Sequence, residues 1–227
     1  MSAKDEHELK QADRLVQALV EQLKVPLIHI AHSAERRHVE AFAEIELTTA
    51  RALQLIDSYL LSLQQRQLEL EPVSLSSVLY DVAQTLDPLA RQHNADLEIS
   101  VAGRYRPVMA HHAGLAAGLT MLGQSLLEAD SGSRPRLVLS VYRGKEGIAA
   151  GVFGDHPDLT PSLFRQALKL YGQARQPLPS ANSLNGAGLY VAHSLFERMQ
   201  SHLKVSHHTK LTGLAAHFLP SAQLQLV

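Results

Sequence analysis

From Glu6 to Gln65 the chain has no glycine and a single proline, Pro26. Across that span side chains fit to be buried recur three and four residues apart: Leu9, Ala12, Val16, Leu19, Leu23, Leu27 and Ile30, then Phe42, Ile45, Thr49, Ala52, Ile56, Leu60 and Leu63. This spacing is the seam of long helices that pack on other helices. A polar, charged stretch from Ser33 to Glu40 interrupts it, so two helices folded into an antiparallel hairpin are expected. A lone hairpin leaves part of its seam in water. A second copy would close it into a four-helix dimer.

The texture changes at Glu69-Leu70-Glu71-Pro72-Val73-Ser74, which divides the chain into expected domains 1–70 and 71–227. Ser74 reads as the N-cap of a helix carrying Leu75, Val78, Leu79, Val82 and Leu86. Beyond it, Asp96–Val101 alternates as a strand and Ala113–Ala129 reads as a helix. Arg136–Arg143 and Gly147–Phe153 form a hairpin around Gly144-Lys145-Glu146. Pro161–Tyr171 is helical, Gln173–Asn185 is a loop, and strands at Leu203–Ser206 and Leu214–Leu219 close the chain. Strands and helices without strict βαβ alternation give an α+β sandwich.

Composition removes several function classes. A net charge of −1 offers no overall attraction to nucleic acid or an anionic membrane. The absence of cysteine removes disulfides, thiolate metal ligands and cysteine nucleophiles. The 13 histidines are scattered, and the His29/His32 pair has no carboxylate at matching spacing, so no metal centre is expected. No apolar run reaches membrane-spanning length and the N-terminus has no signal-peptide core, so a soluble cytoplasmic protein is expected.

One segment near the end is suited to an anion. In Leu184-Asn185-Gly186-Ala187-Gly188-Leu189, two glycines precede an apolar helical run. Backbone N–H groups there can approach a phosphate at a helix N-terminus, or the glycines can simply make a tight turn.

The succession of these segments resembles the cytoplasmic core of a sensor histidine kinase, from about Leu15 to Pro220. That core is a dimerisation and phosphotransfer hairpin followed by an ATP-binding domain of the GHKL type. Glu21-Gln22-Leu23-Lys24-Val25-Pro26-Leu27 lies where the family has His-Glu-Leu-Arg-Thr-Pro-Leu, with Leu23, Pro26 and Leu27 kept and Glu21 in place of the phosphoacceptor histidine. A carboxylate cannot be the imidazole nucleophile. Gln124-Ser125-Leu126-Leu127-Glu128-Ala129 resembles the asparagine box, with Glu128 where the family's asparagine reaches magnesium. Val152-Phe153-Gly154-Asp155-His156-Pro157-Asp158 falls on the Asp-x-Gly-x-Gly box, with Gly154 at the adenine-binding aspartate and Asp155 one residue away. Leu163-Phe164 resembles the phenylalanine box, and Gly186-x-Gly188 keeps most of the last glycine box.

The resemblance implies a helical hairpin forming a dimeric four-helix bundle, followed by a GHKL-type domain. Because the chemistry-bearing positions are replaced, it implies a pseudokinase with no catalytic residue of its own and no cofactor. Its partners would be a second copy and a response regulator or phosphotransfer protein, docking at Glu21, Gln22, Lys24 and Val25. The alternative is a working ATP-dependent kinase or ATPase, with Glu128 holding magnesium, Asp155 serving adenine, and Gln124, Gly186 and Gly188 lining the cleft.

Overall fold

A computed structural model describes residues 20, 23–24, 26–35, 39–63, 68–129, 134–144, 147–170 and 186–221. Residues 26–35 are helical (α1), and the next helix, α2, is Val39–Leu63. Helix therefore extends further into the polar stretch 33–40 than its composition indicates. Ser33 Oγ donates to Glu44 Oε2 at 2.9 Å. Eleven residues along one continuous helix would separate these groups by about 16 Å, so α1 and α2 lie side by side at this point.

The remaining elements follow as β1 (Glu71–Val73), α3 (Leu75–Gln92), β2 (Asp96–Val101), β3 (Val108–Ala110), α4 (His112–Ala129), β4 (Arg136–Gly144), β5 (Gly147–Gly154), α5 (Pro161–Leu170), α6 (Gly186–Arg198), β6 (Leu203–His208) and β7 (Leu211–Phe218). Five strands form one sheet in the order β2-β4-β5-β7-β6. Only the β2–β4 pair is parallel, and its crossover carries β3 and α4. The β4–β5 hairpin expected from the sequence is present, and it pairs Gly144 with Gly147, so Gly144 belongs to β4 rather than to the connection.

Period-two alternation puts Leu137, Leu139 and Val141, Ile148, Ala150 and Val152, and Leu214, Ala216 and Phe218 on the helix-facing side of the sheet. The opposite face carries a smaller cluster of Val138, Phe153, Leu211 and Ala215. Helix α4 is buried on nearly every side, from Gly114 to Ala129. A helix apolar all round has to be covered all round, and α4 accordingly packs against α2, α3, α6 and β5.

Ser74 caps α3 as expected, its Oγ accepting from Ser77 N–H at 3.4 Å. The small antiparallel pair β1–β3 is not apparent in the sequence, where 69–74 reads only as a boundary. Three-residue strands are too short to display alternation. Pro72, with no N–H to give, is tolerated because the pair is a two-stranded ribbon with open edges. Among the described residues no helix is long and apolar enough to cross a membrane.

Candidate functional site

Positions 124, 125 and 128 share a face of α4, because residues four apart on a helix stack one above the other. Positions 51 and 54 share a face of α2 for the same reason. The two faces meet. Arg51 Nη2 donates to the Glu128 carboxylate, and Gln124 Nε2 donates to Gln54 Oε1 at 2.8 Å. Numbering rises from 51 to 54 as it falls from 128 to 124, so the helices run antiparallel at the contact.

The Arg51 and Glu128 side chains are 29% and 23% exposed, so the ion pair is partly shielded from water. Burial lowers the Arg51 pKa from its ordinary value. At the end of α2, Arg198 of α6 donates through Nη1 to the carbonyl of Ser62 at 2.7 Å and to that of Leu61 at 3.3 Å. These carbonyls belong to the last described turn of α2. Tyr59 lies between, its pKa raised by burial and by neighbouring Tyr190.

Beside the Arg51–Glu128 contact is a cavity of about 460 Å³, lined by Pro26 and His29 of α1, Glu44, Thr48, Arg51, Ala52 and Leu55 of α2, Gln92, His93, Met121, Gln124, Ser125, Glu128 and Gly188. His93 is placed there by the way α3 ends. Asn94 adopts φ 52°, a left-handed conformation that asparagine tolerates, and Ala95 N–H returns to the Ala90 carbonyl at 2.8 Å. Burial, and secondarily the Arg51 charge, lower the His93 pKa below its ordinary 6.5.

The residues singled out from the sequence separate into three groups. Gln124, Glu128 and Gly188 line the cavity together. Gly154 is the buried last residue of β5, paired with Leu137 and Thr212, and the adjoining Asp155 is exposed and does not line the cavity. Lys24 is exposed and helical, whereas Glu21, Gln22 and Val25 lie outside the described residues. Both glycines of the 186–188 pair belong to α6 itself, rather than to a turn preceding it. A Cβ on Gly188 would lie 3.1 Å from Ser125 Oγ, so this glycine lets α6 approach α4 closely.

Sequence reasoning missed Arg51, Gln54 and His93. A signal existed for Arg51, the only basic residue between Leu47 and Leu63. A half-buried cation needs a carboxylate partner, but α2 itself offers Glu44, Glu46 and Asp57, and nothing in sequence spacing selects Glu128, 77 residues away.

Among the described residues no group of three or more histidines and carboxylates is close enough to hold a metal. Two half-buried histidines do set a pH dependence. His93 and His193 both have folded-state pKa values lowered, each chiefly by burial. The unfolded chain therefore binds more protons than the folded one as pH falls through 6.5, and stability decreases in that direction. Urea midpoints should drop between pH 7.5 and 5.5, and His93→Gln should remove part of the slope while His193 retains the rest. An unchanged slope in His93→Gln would show that His93 contributes nothing.

No protein-family model and no curated protein sequence matches this chain. Solved structures do. The catalytic domain of histidine kinase ThkA superposes with a TM-score of 0.52 at 14% identity, over 67% of this chain and 95% of that one. ThkA in complex with the response regulator protein TrrA gives 0.58 at 16% identity, over 94% of this chain and 65% of that one. A bacterial phosphotransferase gives 0.51 at 12% identity, over 96% and 98% of the two chains. The sheet and the helices packed on it have the fold of a histidine kinase ATP-binding domain.

Proposed function

We propose that this chain is a histidine-kinase-like signalling protein that has lost phosphoryl-transfer chemistry and docks response-regulator receiver domains, as a homodimer. In this reading residues 1–70 form the dimerisation hairpin and residues 71–227 the ATP-binding-type domain. The observation that carries it is the engagement of the α4 polar face by α2: Arg51 neutralises Glu128, and Gln54 takes up Gln124.

Magnesium and nucleotide do not fit this arrangement. A divalent cation at Glu128 would have to displace a guanidinium or sit beside it, and like charges at that range repel strongly in a partly buried site. Asp155 is exposed, outside the cavity that Glu128 lines, and Gly154 has no side chain to accept a proton from adenine. The same conclusion would leave Glu21, in place of the phosphoacceptor histidine, without a reaction to serve. Titration of the full-length protein with Mg-ADP should give no binding heat that depends on the α4 face, so Glu128→Gln should leave the titration unchanged. Micromolar binding that Glu128→Gln weakens would instead favour a working kinase or ATPase in which the α2 contact opens.

The docking surface in this reading is Glu21, Gln22, Lys24 and Val25, of which Lys24 is exposed. ThkA captured with its response regulator supports a receiver domain as the partner. Lys24→Glu should weaken binding of a cognate receiver domain by about tenfold if its charge meets an acidic receiver surface. Unchanged affinity in that variant and in Glu21→Lys would remove the surface from consideration.

A stripe along α2 supports the dimer. Phe42, Leu53, Leu60 and Leu63 are 69%, 55%, 55% and 50% exposed. With Thr49 and Ile56 they keep a three-and-four rhythm on the side turned away from α4 and α6. An apolar seam of this length left in water is the usual mark of a missing partner. Light scattering should give twice the chain mass of 24.9 kDa, and Leu53→Glu should reduce it to one. A wild-type monomer would refute the four-helix assembly.

A further inference from the structure

Most described arginines have an acceptor. Arg91 pairs with Asp87, Arg134 with Asp96, Arg136 with Glu98 and Arg51 with Glu128. Arg165 and Arg198 donate to backbone carbonyls. Arg104, Arg106 and Arg143 differ: among the described residues their side chains make neither an ion pair nor a hydrogen bond. Yet all three line one cavity of about 430 Å³, and among the described residues no acidic side chain lies in its wall.

The wall is held in place. Tyr105 Oη donates to the Ala102 carbonyl at 2.6 Å, which fixes its ring at the cavity. The segment after it is tied to the C-terminal residues through Ser221 N–H to the Pro107 carbonyl at 2.7 Å and Met109 N–H to the Leu219 carbonyl at 3.2 Å. Across the cavity, Gly147 has φ +133°, and a Cβ there would lie 2.7 Å from the Phe218 carbonyl oxygen. Only glycine fits that position, which sets the β4–β5 turn and with it the place of Arg143.

Arg104, Arg106 and Arg143 are all exposed, and three cations lining one open concavity repel one another and raise the positive potential within it. A bound polyanion relieves that repulsion. Guanidinium forks match phosphoryl oxygens in bidentate geometry, and the cavity volume lies in the range of about 300–1,000 Å³ typical of small-molecule sites. We propose that this cavity binds a small anion bearing two or more phosphoryl groups. It is separate from the cavity beside α4, shares no lining residue with it, and lies at the Gly147 end of β5. The far end of that strand, at Gly154, is about 23 Å away.

Calorimetry on the full-length protein at low salt and without magnesium tests this, with inorganic tripolyphosphate and ATP as probes. Both should bind at one site, and Arg106→Gln and Arg143→Gln should each weaken binding about tenfold. Arg134→Gln, which removes an equal charge elsewhere, should leave affinity unchanged, and thermal melts should confirm that all variants fold. Equal affinity for the two probes would assign recognition to the phosphoryl chain alone. Tighter ATP binding would add the base against the Tyr105 ring. The proposal is overturned by an absence of binding at millimolar probe, or by full affinity in an Arg104→Gln/Arg106→Gln/Arg143→Gln triple variant. It is also overturned if an oligonucleotide or acidic peptide binds through these arginines while both small phosphates do not.

Discussion

The position of α2 on the rest of the molecule depends on the ion pair between Arg51 and Glu128. An exposed pair of this kind contributes ~0–1 kcal/mol, but here both partners are mostly buried and neither can be removed without leaving a charge where water is scarce. The surrounding contacts follow its geometry. Gln54 and Gln124 meet one turn away, and Arg198 satisfies the carbonyls at the end of the same helix. Leu55, Tyr59 and Leu61 then pack against the main core. The apolar contacts supply area, whereas the polar ones determine register, because a slip of one residue on α2 would turn the guanidinium about 100° away from its carboxylate.

That contact also determines what the polar face of α4 meets in three dimensions. The Glu128 carboxylate gives α4 an acceptor suited to a guanidinium. A neutral amide at 128 would hold Arg51 less strongly and leave the face easier to open. Glu128 and the cation at 51 are therefore one feature, and each would be costly without the other. His93 belongs to the same arrangement: burial, and secondarily the Arg51 charge, lower its pKa and so disfavour a second cation there.

Much of the architecture was legible in the residues because its signals are local. The Ser74 cap, the alternation of β2, the β4–β5 hairpin and the span of α4 each depend on side chains within a few positions of one another. What was not legible depends on separation. The β1–β3 ribbon joins residues nearly forty apart with strands too short to show a period, and its Glu71–Ala110 register follows from tertiary packing. The two glycines at 186 and 188 signal close backbone approach, but their sequence cannot distinguish an anion from a neighbouring helix. For Gly188 the structure supplies the helix, with Ser125 at 3.1 Å from where a Cβ would be.

Opposite ends of β5 thus carry opposite electrostatic conditions. Toward Gly154 and the α4 face the charges are internally compensated, with Glu128 answered by Arg51. Toward Gly147 three arginines are left without acceptors around a rigid wall. With a net charge of only −1, the chain has no general excess of cations that would place arginines there by composition alone. Every other described arginine pairing noted above was achieved with an ordinary carboxylate or carbonyl nearby, so the same solution was open to Arg104, Arg106 and Arg143. Exposed guanidinium groups brought to one cavity beside a φ-restricted glycine and a hydrogen-bonded tyrosine repel one another in the empty protein. Such repulsion is offset when an external anion completes the site, and on this ground the ligand chemistry of the fold has its strongest support at the end of the sheet remote from α4.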